Sequence, residues 1–158
     1  MAASAQTGVY AEFTAGLENG VASRLYGPTI GLYHDDGFGL IALGLDVRGS
    51  FLRSRQGGNV TESLNTVQGG VRLAITPHVL PIKPYGEALV GYASLSTGGG
   101  VARLSGGHLG YQGLAGVDLT FLPRIDWRVV EFSYQGFTGL GQEFFPKTLS
   151  TGLVLRLP

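Results

Sequence analysis

Along this chain polar and apolar residues alternate in eight stretches, and nearly every charge within those stretches falls on one face. Alternation with period two marks a β-strand, because successive side chains point to opposite sides of a sheet. In the third stretch Ile41, Leu43, Leu45, Val47 and Phe51 point one way, while Ala42, Gly44, Asp46, Arg48 and Ser50 point the other. The fourth, Leu64 to Thr76, separates as cleanly, with Val67, Val71, Leu73 and Ile75 against Thr66, Gln68, Gly70 and Arg72. A soluble sheet shares such alternation, but its polar face looks into water and carries many lysines and glutamates. Here Lys83 and Lys147 are the only lysines. The pattern therefore predicts a barrel with a polar lumen and an apolar exterior.

The other stretches obey the same rule. The first, about Gly8 to Leu17, sets Val9, Ala11, Phe13 and Ala15 outward and Tyr10, Glu12 and Thr14 inward, and ends at the turn signal Glu18-Asn19-Gly20. The second, about Arg24 to His34, sets Tyr26, Ile30 and Leu32 outward and Gly27, Thr29 and Gly31 inward. Pro28 cannot donate to a ladder and predicts a bulge, and Asp35-Asp36-Gly37 predicts a tight turn into the third strand, Phe38 to about Arg53. The fifth, Tyr85 to about Leu95, follows a connection bounded by Pro77, Pro81 and Pro84; it opposes Ala88, Val90 and Tyr92 to Glu87 and Gly91, and Leu89 breaks its pattern. The sixth, His108 to Phe121, turns Leu109, Tyr111, Ala115, Val117, Leu119 and Phe121 outward and Gln112, Gly116, Asp118 and Thr120 inward, with Leu114 an inward exception. The seventh, Asp126 to Gln135, sets Val130, Phe132 and Tyr134 outward and Glu131, Ser133 and Gln135 inward. That leaves Arg128 outward near a membrane edge, where its long side chain can snorkel. The eighth, Thr148 to Leu157, opposes Leu149, Leu153, Leu155 and Leu157 to Ser150, Gly152 and Arg156.

The second, fourth and sixth connections are short or proline-bound, and the first, third, fifth and seventh are longer and rich in glycine. Outer-membrane barrels alternate short periplasmic turns with longer outer loops in this way, which puts both termini on the periplasmic side. No apolar run approaches the ~18 residues of a membrane-spanning helix, so any crossing uses strands. The 158 residues carry no linker or charge run and are expected to form a single domain over 1–158. A net charge of zero gives nucleic acid nothing to attract it, and the lack of cysteine excludes disulfides and thiol chemistry. Ala3-Ser4-Ala5, near the start, has the small-residue pattern that ends an export signal.

Segments such as KPYGEALVGYASL, YQGLAGVDLTF and KTLSTGLVLRLP resemble strands of the small eight-stranded outer-membrane barrel superfamily, which contains the membrane domain of outer membrane protein A, OmpX-like proteins and the opacity proteins. The resemblance implies an all-β, eight-stranded antiparallel up-and-down transmembrane barrel in the bacterial outer membrane. Its partners are then outer-membrane lipid and lipopolysaccharide, with the barrel-insertion machinery during assembly, and it is a monomer without cofactor or metal. The chain departs from that pattern in ending Arg156-Leu157-Pro158, where these families end in an aromatic residue read by the insertion machinery.

An eight-stranded barrel is just wide enough for side chains to fill, so the inward Glu12, Asp46, Arg48, Arg72, Glu87, Asp118, Glu131 and Arg156 are expected to meet as a structural polar network. Arg72 with Glu87, and Glu131 with Arg156, are the expected pairs. The surplus of acids needs hydrogen bonds from Tyr10, Gln112 or Thr120, or water. Converging carboxylates also suit a glycosidase or a metal site, but a filled barrel gives a substrate no route to them. His34, His78 and His108 fall at opposite rims, against a three-histidine metal site. A lipid A-modifying enzyme is the main rival reading, and a small pore the next. A membrane-facing deacylase site resembling those of some such barrels would need a His-x-Ser-Asn string, which is absent. The Gly-rich stretch 96–107 lacks the ending of a phosphate loop and reads as a flexible outer loop, and Asn59-Val60-Thr61 is assigned no function. Tyr33, Phe38, Phe121 and Trp127, with Phe51, Tyr92, Tyr111 and Phe137 toward the other end, suggest two aromatic girdles.

Overall fold

A computed structural model of the protein describes residues 4–17, 25–56, 59–77, 79–97, 108–138 and 147–158. They form strands β1 (Ser4–Leu17), β2 (Tyr26–Phe38), β3 (Ile41–Gln56), β4 (Asn59–Ile75), β5 (Ile82–Thr97), β6 (His108–Leu122), β7 (Ile125–Phe137) and β8 (Lys147–Leu157). Each pairs antiparallel with the next, and β8 returns to β1 to close the barrel. Closure leaves no sheet edge unpaired. The connections after β2, β4 and β6 share one end, called here the turn end; the opposite end is the loop end.

The alternation sorts the side chains as the sequence pattern predicts. Phe13, Ile30, Leu45, Val47, Val67, Val90 and Leu153 are exposed on the exterior, whereas Glu12, Asp46, Arg48, Gln68 and Arg72 are buried in the lumen. Leu89 and Leu114, the two pattern-breakers, pack inside with Ala42, Ala74 and Tyr85. Toward the loop end, Leu25, Leu52, Leu64 and Ala93 form an apolar layer on the β2–β5 side of the lumen.

Several local expectations are corrected. Asp35-Asp36-Gly37 is not the turn between β2 and β3: β2 runs on to Phe38, which faces Ile41, and the turn is Gly39-Leu40. Gly39 has φ of 74°, the positive value that a two-residue hairpin of the II′ type demands at its first position. Pro28 makes no bulge, because the β2–β3 register passes from Tyr26↔Arg53 to Thr29↔Ser50 without a shift. Nor is the third connection long, since β3 and β4 extend until Gln56 faces Asn59. Tyr33 leaves the proposed girdle, being buried on the lumen face with Tyr10 and Val154. Phe137 leaves it too, half-buried against the apolar layer. Phe38, Phe121, Trp127, Phe51, Tyr92 and Tyr111 are exposed at the two rims. The Glu18-Asn19-Gly20 turn, His78, the start at Ala3 and positions 98–107 of the Gly-rich stretch lie outside the described residues.

The inner wall gains width for large rings by pairing them with glycine. Tyr10 lies directly opposite Gly31 and its ring occupies the space a Cβ there would need. Tyr85 covers Gly116 in the same way, and Tyr33 covers Gly8. Each glycine lets an aromatic ring lie flat on the neighbouring strand, bringing its hydroxyl toward the charged centre.

Candidate functional site

Arg48 on β3 reaches Glu87 at 2.7 Å and Glu131 at 2.6 Å. Arg72 on β4 reaches the other oxygen of Glu87 at 2.5 Å and Asp118 at 3.3 Å. Arg128 on β7 holds Asp118 at 2.8 Å and Glu131 at 3.4 Å. These contacts close a ring of alternating charge across the lumen, running Arg48, Glu87, Arg72, Asp118, Arg128, Glu131 and back to Arg48. Each arginine also carries one acid outside the ring: Asp46 at 3.3 Å, Asp35 at 3.1 Å and Glu12 at 2.5 Å, respectively. Each guanidinium thus spends its donors on three acids, as five N–H groups in a rigid planar fork permit.

Tyrosine rings interleave with the guanidiniums. Arg72 lies 4.3 Å from the Tyr33 ring centre and 4.0 Å from that of Tyr85, and Arg128 lies 4.5 Å from Tyr85 and 4.3 Å from Tyr10. Arg48 completes the stack 5.3 Å from Tyr10. Such stacking attracts a desolvated cation to the ring face. The hydroxyls add hydrogen bonds: Tyr10 donates to Asp46 at 2.8 Å and Tyr85 to Glu131 at 2.7 Å. Toward the loop end, Thr14 shares hydroxyl bonds with Thr29 and Ser150 at 2.8 Å, and Ser133 bonds Thr148.

Of the residues singled out from the sequence, Glu12, Asp46, Arg48, Arg72, Glu87, Asp118 and Glu131 meet in this cluster. Arg72 pairs with Glu87. Arg156 does not meet Glu131; it sits at the turn end against Asp126 at 3.2 Å, and Lys83 approaches the same acid at 3.4 Å. Thr120 does not supply the expected hydrogen bond to the surplus acids, since its Oγ1 has no hydrogen-bond partner among the described residues, and the Gln112 amide oxygen, which can only accept, is likewise unpartnered. Sequence reasoning missed Asp35, placed in a turn, and also Tyr33, Tyr85, Asp126 and Lys83.

The largest correction concerns Arg128, expected outside and found completely buried. The β7–β8 register shifts between Arg128 and Glu131, a bulge that reverses which side chains face inward. Asp126 and Arg128 therefore face the lumen on one side of the shift, and Glu131, Ser133 and Gln135 on the other. The irregularity has its own cap on the exterior, where Thr151 donates to the Arg128 carbonyl at 3.0 Å and accepts from the Trp127 indole at 3.3 Å.

Chemically this arrangement holds the charges of its ring in opposed pairs. Every acid of the ring is bound by two guanidiniums. Among the described residues no group of His, Asp and Glu is placed to hold a metal ion. His34 lies on the exterior, its Nδ1 2.8 Å from the Thr7 hydroxyl.

Solved structures share the fold of this barrel. Neisserial surface protein A matches with a TM-score of 0.72 at 15% identity, covering 99% of this chain and 100% of that one. The fold is that of the small eight-stranded outer-membrane barrels. Ail, the attachment invasion locus protein of Yersinia pestis, solved with the heparin analogue sucrose octasulfate, matches this barrel with a TM-score of 0.60 at 13% identity, covering 99% of this chain and 100% of its own. The N-terminal barrel domain of Pseudomonas aeruginosa OprF gives 0.55 at 13% identity, with 98% and 100% covered. No protein-family model matches the sequence, and no curated protein does.

Proposed function

We propose that this chain is a structural barrel of the bacterial outer membrane, lying among lipid and lipopolysaccharide, with its lumen shut to ions and no catalysis of its own. The carrying observation is the closed ring of Arg48, Glu87, Arg72, Asp118, Arg128 and Glu131 inside a wall whose exterior is predominantly apolar. An apolar surface of that extent on a soluble monomer would drive association, whereas lipid satisfies it. On this reading the turn end faces the periplasm and the loop end faces outward, the barrel-insertion machinery places it, and it works as a monomer.

Two barriers support closure over conduction. The charge ring fixes its side chains in opposed pairs, so an ion entering would have to displace a partner at close contact. The apolar cluster of Leu25, Leu52, Leu64 and Ala93, with Phe137 packed against it, fills further lumen space toward the loop end. Planar-bilayer recording tests this: the folded protein is expected to give no stable large conductance, and a steady large conductance would refute closure in favour of a pore. Loss or gain of an acyl chain on lipid A upon expression would favour the enzyme instead.

A further inference from the structure

Two hollows on the barrel exterior meet at Phe51. One, about 480 Å³, is lined by Val9, Ile30, Leu32, Val47, Gly49 and Val67. The other, about 460 Å³ and nearer the loop end, is lined by Phe13, Tyr26, Pro28 and Arg53. Together they make one groove along β3, with Gly49 and Arg53 roughly 13 Å apart along the strand at ordinary extended rise.

The floor exists because Gly49 has no side chain between Ile30 on β2 and Val67 on β4, its direct cross-strand neighbours. Backbone crowding does not impose that glycine: an added Cβ would meet the Phe51 ring and the Thr66 carbonyl at 3.7 Å, ordinary contact. Space that a side chain could fill is left open, although a β-branched residue would suit the strand better. Higher up, the Phe13 and Tyr26 rings stand 6.3 Å apart, and Tyr26 is directly opposite Arg53. Among the described residues no carboxylate pairs with Arg53. The groove therefore offers an apolar floor, aromatic walls and a free cation at its loop end.

That order of surfaces is complementary to an amphiphile carrying an acyl chain below an anionic head. We propose that the groove seats one acyl chain of a phosphate-bearing glycolipid of the outer leaflet, lipid A in chemical class, with Arg53 bound to its phosphate. The proposal rests on the membrane placement given above. Arginine suits a phosphate because its planar fork matches the oxygens and forms charge-assisted hydrogen bonds.

The test is native mass spectrometry of the full chain folded in detergent with lipid A, its dephosphorylated form or phosphatidylglycerol. Variants are Gly49→Val, which fills the floor, Gly49→Ala as a gentler filling, and Arg53→Gln. A heat-modifiability gel first establishes the folded fraction of each. The expected result is one lipid A retained by the native sequence, with retention about tenfold weaker in Gly49→Val and intermediate in Gly49→Ala. Arg53→Gln is expected to abolish preference for the phosphorylated form while leaving the dephosphorylated lipid bound as before. Equal retention by all variants would overturn the site, as would phosphatidylglycerol held as firmly as lipid A. If Gly49→Val did not fold, Gly49→Ala and Arg53→Gln would still decide. Failure of the native chain to enter a bilayer would instead sink the membrane reading.

Discussion

Replacing Arg128 with Met removes the guanidinium held between the Tyr10 and Tyr85 rings and substitutes a side chain that packs well against aromatics. The ring's geometry predicts where the loss falls. Asp118 keeps Arg72 at 3.3 Å, and Glu131 keeps Arg48 at 2.6 Å with the Tyr85 hydroxyl at 2.7 Å. Glu12 alone is stripped, because Arg128 at 2.5 Å is its only cation among the described residues, and it is 4% exposed. Breaking a buried pair on one side costs about 3–5 kcal/mol, chiefly through the charge left behind. Glu12→Gln alone leaves Arg128 two acids and is expected to cost about 1–2 kcal/mol, the order of one buried hydrogen bond to a charged group.

The double substitution removes both the cation and the stranded carboxylate. It is expected to cost little more than Glu12→Gln, giving a coupling of about 3–4 kcal/mol between the two sites. The assay is reversible urea unfolding in lipid vesicles, followed through Trp127, the only tryptophan, with gel mobility as a second probe. A loss below about 1 kcal/mol for Arg128→Met would refute the ring as a stabilising unit. So would a double variant whose cost equals the sum of the singles.

Two further outcomes follow from the same packing. Thr151→Val is expected to cost about 1–3 kcal/mol by leaving the Arg128 carbonyl unpaired on the apolar exterior, with Thr151→Ser restoring most of it; equal unfolding midpoints for all three proteins would dismiss the cap. Gly31→Val should displace the Tyr10 ring and cost about 1–3 kcal/mol, whereas Gly113→Ala, where a Cβ meets nothing within 4 Å, should be neutral. Indistinguishable unfolding curves for those two variants would remove the ring-on-glycine argument.

Strand count, the inward and outward sides of seven strands and the closed topology were legible because a single physical variable, alternation, recurs in every stretch. What escaped was whatever depends on parity being interrupted. Asp35 was read as a turn because Asp-Asp-Gly is turn chemistry in isolation, yet Gly27, Thr29 and Gly31 already fixed an odd-numbered lumen face on which Tyr33 and Asp35 also lie. β7 held a stronger clue. Asp126 and Arg128 are even-numbered, Glu131, Ser133 and Gln135 odd, and both sets can face the lumen only if one residue is inserted between them. Strict alternation instead sent the arginine into lipid, a costly place for its charge. The more economical reading would have put a bulge at Val129-Val130, buried Arg128, and supplied the third cation without which Glu87, Asp118 and Glu131 cannot each bridge two arginines. In a barrel this narrow, charge satisfaction across the lumen constrains register as firmly as hydrophobicity constrains the wall, and an unpaired inward acid in one strand is information about the parity of another.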